Sequence, residues 1–189
     1  MSSYAPTPGS GLIFMKVGVH AQESLEDILV RKRKELSDAG MSFWGYGGNT
    51  CHPTTKVQPF VSKLVNGGQQ VYLCMHQMTS KHFADPVRAE EYSADGKEWR
   101  PVPPEINVMG SRYALVIDSL EEAEFELDLA QTRVGIGVQE GRIGSEYISG
   151  RVDKACLQVS PEPTAAEDSK SLRIGLVAKL GEPYAVLLR

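Results

Sequence analysis

Eleven consecutive residues, "FWGYGGNTCHP" from Phe43 to Pro53, gather three aromatic rings, three glycines, an amide, a thiol and an imidazole. Two kinds of chemistry follow from those types. The first is recognition of a planar ligand. In an extended segment successive side chains alternate, so Phe43 faces one side while Trp44 and Tyr46 share the other. A base stacked on such an aromatic gains about 1–3 kcal/mol. Gly47 and its neighbours allow close approach to the backbone, and Asn49 and His52 offer hydrogen bonds to a ligand's edge. The competing reading makes Trp44 a core anchor beneath a glycine-rich turn. The second chemistry is nucleophilic catalysis, with Cys51 as the thiol and His52 or His20 as general base. Adjacent side chains diverge, however, and neither a cysteine-protease signature nor a GxSxG elbow is present.

A metal site is the next candidate. His20, Cys51, His52, Cys74, His76 and His82 are zinc-type donors, and Cys74 and His76 would share one face of a strand. No recognised zinc spacing links them, so no metal is expected. "GIGVQEGRIG" (Gly135–Gly144) matches neither GxGxxG nor a P-loop, and reads as a turn whose glycines serve positive φ. The acids of "EEAEFELDL" (121–129) alternate with apolar residues, the pattern of a strand's wet face rather than an acid–base pair. No cofactor motif is found and no cofactor is expected.

Composition narrows the partners. Hydrophobic residues make up 41% and charged residues 23% of the 189-residue chain, ordinary globular usage at a length that closes a core without staples. A net charge of −4 and a pI near 5.6 argue against a grip on duplex phosphates and leave a local contact, such as a single base. Cys51, Cys74 and Cys156 are widely spaced and form no CxxC, which points to a reducing, cytoplasmic setting. No signal-peptide pattern opens the sequence, and no apolar run approaches the roughly 18 residues of a membrane span.

Residues 1–10 read as a disordered lead and "GLIFMKVGVH" (Gly11–His20) as a strand. Ser24 as N-cap, Asp27 three positions on, and Gly40 at the end bracket a helix with Leu25, Ile28, Leu29 and Leu36 on one face. Its "RKRK" run reads as a solvated face offset by Glu23, Glu26, Asp27 and Glu35. "MSFWGY" follows as a short strand. Val57, Phe60, Val61, Leu64 and Val65 then form a helical stripe, with Pro59 tolerable only near the first turn. Strands dominate beyond it: "QVYLCMHQM" (70–78), a hairpin around Asp95-Gly96 (86–103), "RYALVIDSL" (112–120), "AEFELDL" with Phe125, Leu127 and Leu129 inward, "TRVGIGV" and "KACLQV". "GSEYISGRV" reads as one or two helical turns. Residues 160–171 read as a mobile loop, and 172–189 as a pair of strands around Gly181-Glu182-Pro183 that joins the sheet or a partner, for instance in a homodimer. The expected class is α+β, with two helices in the N-terminal third and a mixed, partly closed sheet over residues 11–159.

Strand "GLIFMKV", helix 24–39, "FWGYGG", a second helix, "VYLCMH", the polar hairpin "VRAEEYSADGKEWRPV" and "YALVIDSLEEAEFELDL" follow one another in an order that resembles the PUA-like β-barrel superfamily, which includes EVE, ASCH and YTH-type domains. The resemblance spans residues 11–157 and lies in order and rhythm; the lysine-centred ASCH signature and the YTH aromatic cage have no counterpart. It implies a partly closed barrel with a pocket between barrel and helices for a modified or flipped nucleobase, or a nucleotide. Trp44, Tyr46 and Asn49, with His76 and Ser80 at the end of "VYLCMHQMTS", are the implied pocket positions. Two other functions fit the residues. One is an enzyme acting on a nucleotide or nucleic acid through His52 or His20. The other is an inhibitor protein of a phage or mobile element that docks on a host complex through Glu121, Glu122, Glu124 and Glu126.

Overall fold

The computed structural model describes residues 1–47, 51–82, 84–149, 152–162 and 169–189, with the backbone alone at 80–82. Its strands are β1 (Gly11–His20), β2 (Ser42–Tyr46), β3 (Tyr72–His82), β4 (Glu91–Ser93), β5 (Arg100–Pro101), β6 (Tyr113–Ile117), β7 (Glu121–Asp128), β8 (Thr132–Val134), β9 (Lys154–Val159) and β10 (Ser171–Leu188). Its helices are α1 (Leu25–Ala39), α2 (Gln58–Asn66) and α3 (Gly144–Tyr147), and a π-helical turn at Pro53–Val57 leads into α2. The ten strands form one sheet in the order β2-β6-β10-β3-β1-β9-β8, with β4 and β7 also on β10 and β5 on β4. β1 and β3 run parallel, while β10 is antiparallel to each of its neighbours. The class is α+β with a mixed sheet, and the ladder does not close into a barrel. No helix among the described residues is long and apolar enough to cross a membrane.

The helices begin and end on the expected signals. Ser24 Oγ accepts from the Asp27 N–H at 3.1 Å, and Gly40 ends α1 at a φ of +74°. Leu25 and Ile28 are buried as their spacing requires. The "RKRKE" run departs from a solvated face, because Lys32 and Glu35 are only 3% and 2% exposed. In α2, Phe60, Val61 and Leu64 are buried behind Val57, and Pro59 sits in the first turn, where its missing N–H leaves no intrahelical bond unmade.

Both faces of the central strands are covered, which is why β1 and β3 read as apolar runs without alternation. Leu12 and Phe14 of β1 pack with Cys74 and Leu157 on one face. Ile13 and Val17 pack with Leu73, Met75, Ile28 and Phe60 on the other. β7 keeps a clean alternation: Ala123 and Leu127 are buried, Phe125 is half-buried, and Glu121, Glu122, Glu124 and Glu126 are exposed. Residues 1–10 are not a loose lead. Tyr4 stacks on Tyr72 with ring centroids 3.8 Å apart, and the Ser2 and Gly9 N–H groups donate to Glu122 O and Val159 O. Of the expected mobile loop at 160–171, residues 163–168 lie outside the described residues.

The C-terminal residues differ most from expectation. They form one strand of 18 residues, not a pair. The first half of β10 pairs with β7 and β3, and the second half with β6 and β4. The register shifts between Leu180 and Ala185, so the strand carries on where a turn at Gly181-Glu182-Pro183 was expected. Leu176, Val177 and Leu187 are paired on both sides within the chain. The strand is therefore the middle of the sheet and offers no edge there for a second copy. Deleting residues 182–189 is expected to abolish cooperative thermal unfolding in far-UV circular dichroism. A tail that only extended a partner's sheet would leave that transition intact.

Candidate functional site

β2 positions the aromatic segment. It pairs with β6 in the register Trp44↔Leu115 and Tyr46↔Tyr113. Alternation sends Phe43 into a cluster with Val116 and Val186, and Trp44 and Tyr46 to the opposite face, as the sequence indicates. That face is not a solvent-exposed wall: Trp44 is 4% and Tyr46 is 2% exposed. Both nonetheless line a cavity of about 110 Å³ bordered by β1, α1, β2 and the segment 107–109. Trp44 is core anchor and cavity wall at once.

The apolar lining comes from Met15 and Val17 of β1, Leu25 and Ile28 of α1, and Met78 of β3. Methionines make such a wall adaptable, because the unbranched thioether fills irregular gaps and is polarisable. Gly45 also borders the cavity, and a Cβ there would lie 2.7 Å from Ser111 Oγ. An apolar hollow of about 150 Å³ takes up a benzene ring. A cavity of about 110 Å³ is therefore scaled to one small ring, with any larger substituent at its mouth.

Polar groups border the same space. Lys154 of β9 donates through Nζ to Gly47 O, reaches Asp153 Oδ1 at 3.3 Å, and lies 5.9 Å from the centroid of the Tyr46 ring. This contact bridges β9 to the end of β2, two strands with no ladder between them. Tyr46 Oη donates to Cys51 O at 2.8 Å. Burial drives the Tyr46 phenol far above its ordinary range, so it stays a neutral donor. His20 Nε2 lies 3.0 Å from Met109 O. A carbonyl only accepts, so this nitrogen carries the proton and is not where a general base takes one up.

Behind the lining, Glu35 ties three walls together. Arg31 Nη1 at 3.0 Å, Lys32 Nζ at 2.9 Å, the Asn107 N–H at 3.0 Å and Ser42 Oγ all donate to its carboxylate. Lys32 Nζ also donates to Asn107 O at 3.1 Å. α1, the start of β2 and the segment at 107 thus meet on one saturated charge. Burial pulls the Lys32 ammonium down to about 8, against the pull of Glu35. Sequence reasoning missed this junction. Within the helix it looks like a surface i,i+3 and i,i+4 ion pair, and only Asn107, distant in sequence, distinguishes it.

The other candidates are dispersed. His52 leads into the π-helical turn and sets its ring edge-on to Tyr113, with centroids 5.4 Å apart, away from the cavity lining. His76 Nδ1 lies 2.8 Å from Arg173 O, in a separate depression shared with Glu124. Its strand pairs with β1 such that Met75, not His76, faces the helices. Asn49 and the Ser80 side chain lie outside the described residues. Trp44, Tyr46, Gly47 and His20 come together, joined by Arg31, Lys32 and Lys154, which the sequence did not single out. No three His, Cys, Asp or Glu side chains gather as a metal-binding group among the described residues. Comparison with family models, with curated proteins and with solved structures finds no match.

Two outcomes follow from the Glu35 junction. Glu35→Ala, which strands a buried ammonium, should lower stability by about 3–5 kcal/mol in urea denaturation. Lys32 has a folded pKa of about 8 against an ordinary 10.5, so the unfolded chain holds the extra proton between those values. Its contribution to stability therefore rises with pH across that window. Denaturation midpoints at several pH values should show this rise in the wild type relative to Lys32→Met. Parallel curves for the two proteins would refute it.

Proposed function

We propose that the protein is a binding module whose cavity receives one planar, acceptor-bearing ring: a nucleobase, free, in a nucleotide, or turned out of a strand. The observation that carries this reading is the meeting of Trp44 and Tyr46 with a ring-sized cavity bordered by Arg31, Lys32, Lys154 and His20. In a chain of net charge −4, Arg31, Lys32 and Lys154 bring three cations to this border together with the His20 imidazole; Arg31 is paired with Glu23 and Glu35, Lys32 with Glu35 and Lys154 with Asp153. Base carbonyls, ring nitrogens and phosphate oxygens are acceptors and match that rim. Aromatic faces favour any base by stacking. The PUA-like order of elements supports the same reading, since it implies a pocket for a base between barrel and helices. The role does not require a closed barrel; it requires that β1, β2 and α1 surround one ring.

Trp99→Phe leaves Trp44 as the sole tryptophan of the two in the chain. In that background, titration with nucleosides, nucleoside monophosphates, modified bases and short single-stranded RNA is expected to give saturable quenching by at least one class. Trp44→Leu should weaken that binding by about 1–3 kcal/mol, followed calorimetrically, while cooperative melting persists. Absence of any saturable ligand across these classes would overturn the reading.

A further inference from the structure

Cys51 and Cys156 are 105 residues apart in sequence, yet their sulfurs lie 3.4 Å from each other. Cys51 follows β2 and Cys156 lies on β9, so the pair spans the same unladdered gap as Lys154 and Gly47. Both thiols are buried and reduced, at 3% and 2% exposure. A disulfide needs an S–S distance of about 2.05 Å, so closure asks for a shift of little more than about 1 Å. A pocket of about 40 Å³ is lined by both cysteines together with Lys56, Gln139, Tyr147 and Val138. Val138 at its rim is 98% exposed, so the pocket communicates with solvent. One water requires about 10–15 Å³ by this kind of measure, so hydrogen peroxide fits while bulky oxidants do not.

We propose that Cys51 and Cys156 form a hydroperoxide-reactive dithiol, with Cys51 as the attacking sulfur and Cys156 as the resolving one. The asymmetry has a physical cause. The hydrogen bond from Cys156 lowers the Cys51 thiol from its ordinary value, and Lys56 and Lys154 act in the same direction against burial. The same hydrogen bond, with burial, pushes Cys156 up and keeps its proton in place. The Cys51 thiol gives up its proton, the resulting thiolate gives an electron pair to one peroxide oxygen, the O–O bond breaks, and the departing hydroxide takes up the released proton as water. Cys156 sulfur then attacks the Cys51 sulfenic acid, the S–O bond breaks, and a second water leaves with the Cys156 proton. Two thiols and one hydrogen peroxide become one disulfide and two waters. Cys74 is an internal control: it is wholly buried, and that burial drives its thiol well up and away from reactivity.

This inference stands apart from base binding and its test involves no nucleotide. The full chain is treated with dilute hydrogen peroxide and read by intact mass and peptide mapping. The expected result is loss of two hydrogens, reversed by dithiothreitol, with the Cys51 and Cys156 peptides joined and Cys74 still alkylatable. Cys156→Ser should stop at a Cys51 sulfenic acid, trapped when the peroxide-treated protein is unfolded in the presence of dimedone. If that variant fails to fold, the wild-type map alone decides. Cys51 and Cys156 both remaining alkylatable while methionines gain oxygen, or oxidation of Cys74 at an equal rate, would overturn the proposal.

Discussion

The structure depends on β10 being paired along both sides. Its first half is flanked by β3 and β7 and its second by β6 and β4, so one strand joins the two halves of the sheet. β3 carries β1, and β6 carries β2. In the order β2-β6-β10-β3-β1, four inter-strand gaps of about 4.8 Å would hold β1 and β2 about 19 Å apart in a flat sheet. Yet both line one cavity. The sheet therefore curls around α1, in keeping with the twist and coiling of sheets anchored on a long strand. The curl stops short of closure. Across the remaining gap the bridges are side chains: Lys154 to Gly47 O, and Cys51 against Cys156. The cavity and the Cys51–Cys156 contact both sit where the backbone ladder is interrupted.

The second constraint is the buried charge of Glu35. Four donors saturate it, and they come from α1, β2 and the segment at 107. A buried carboxylate is tolerated only when its lone pairs are taken up in this way. In return the network fixes the separation of three elements that border the cavity. These bonds hold α1, β2 and the segment at 107 together beside the hollow, which Met15 and Met78 line.

Much of the fold was legible because local signals and burial agree. Ser24, Asp27 and Gly40 mark α1 through cap geometry, and the Val57–Leu64 stripe marks α2 through its period. Strand alternation correctly separated Phe43 from Trp44 and Tyr46. What the sequence did not disclose depends on partners distant in the chain. The turn residues Gly181, Glu182 and Pro183 suggest a break in the tail, but pairing on either side carries the strand through them. Lys32 looked solvated because Asn107, 75 residues away, is invisible to helical periodicity. His76 shared a strand with a site candidate, yet it lies in a separate depression with Glu124 and Arg173, outside the cavity lining. The Cys51–Cys156 contact crosses 105 residues without a spacing motif.

Methyl-resolved NMR with a free nucleobase that binds tests the central claim most directly, because it reports where the ring sits without altering the core. If the ring occupies the cavity, the methyls of Met15, Val17, Leu25, Ile28 and Met78 shift together and show contacts to ligand protons, along with the Trp44 indole. Shifts confined to the depression around His76, Glu124 and Arg173, with those five methyls unmoved during saturable binding, would contradict it.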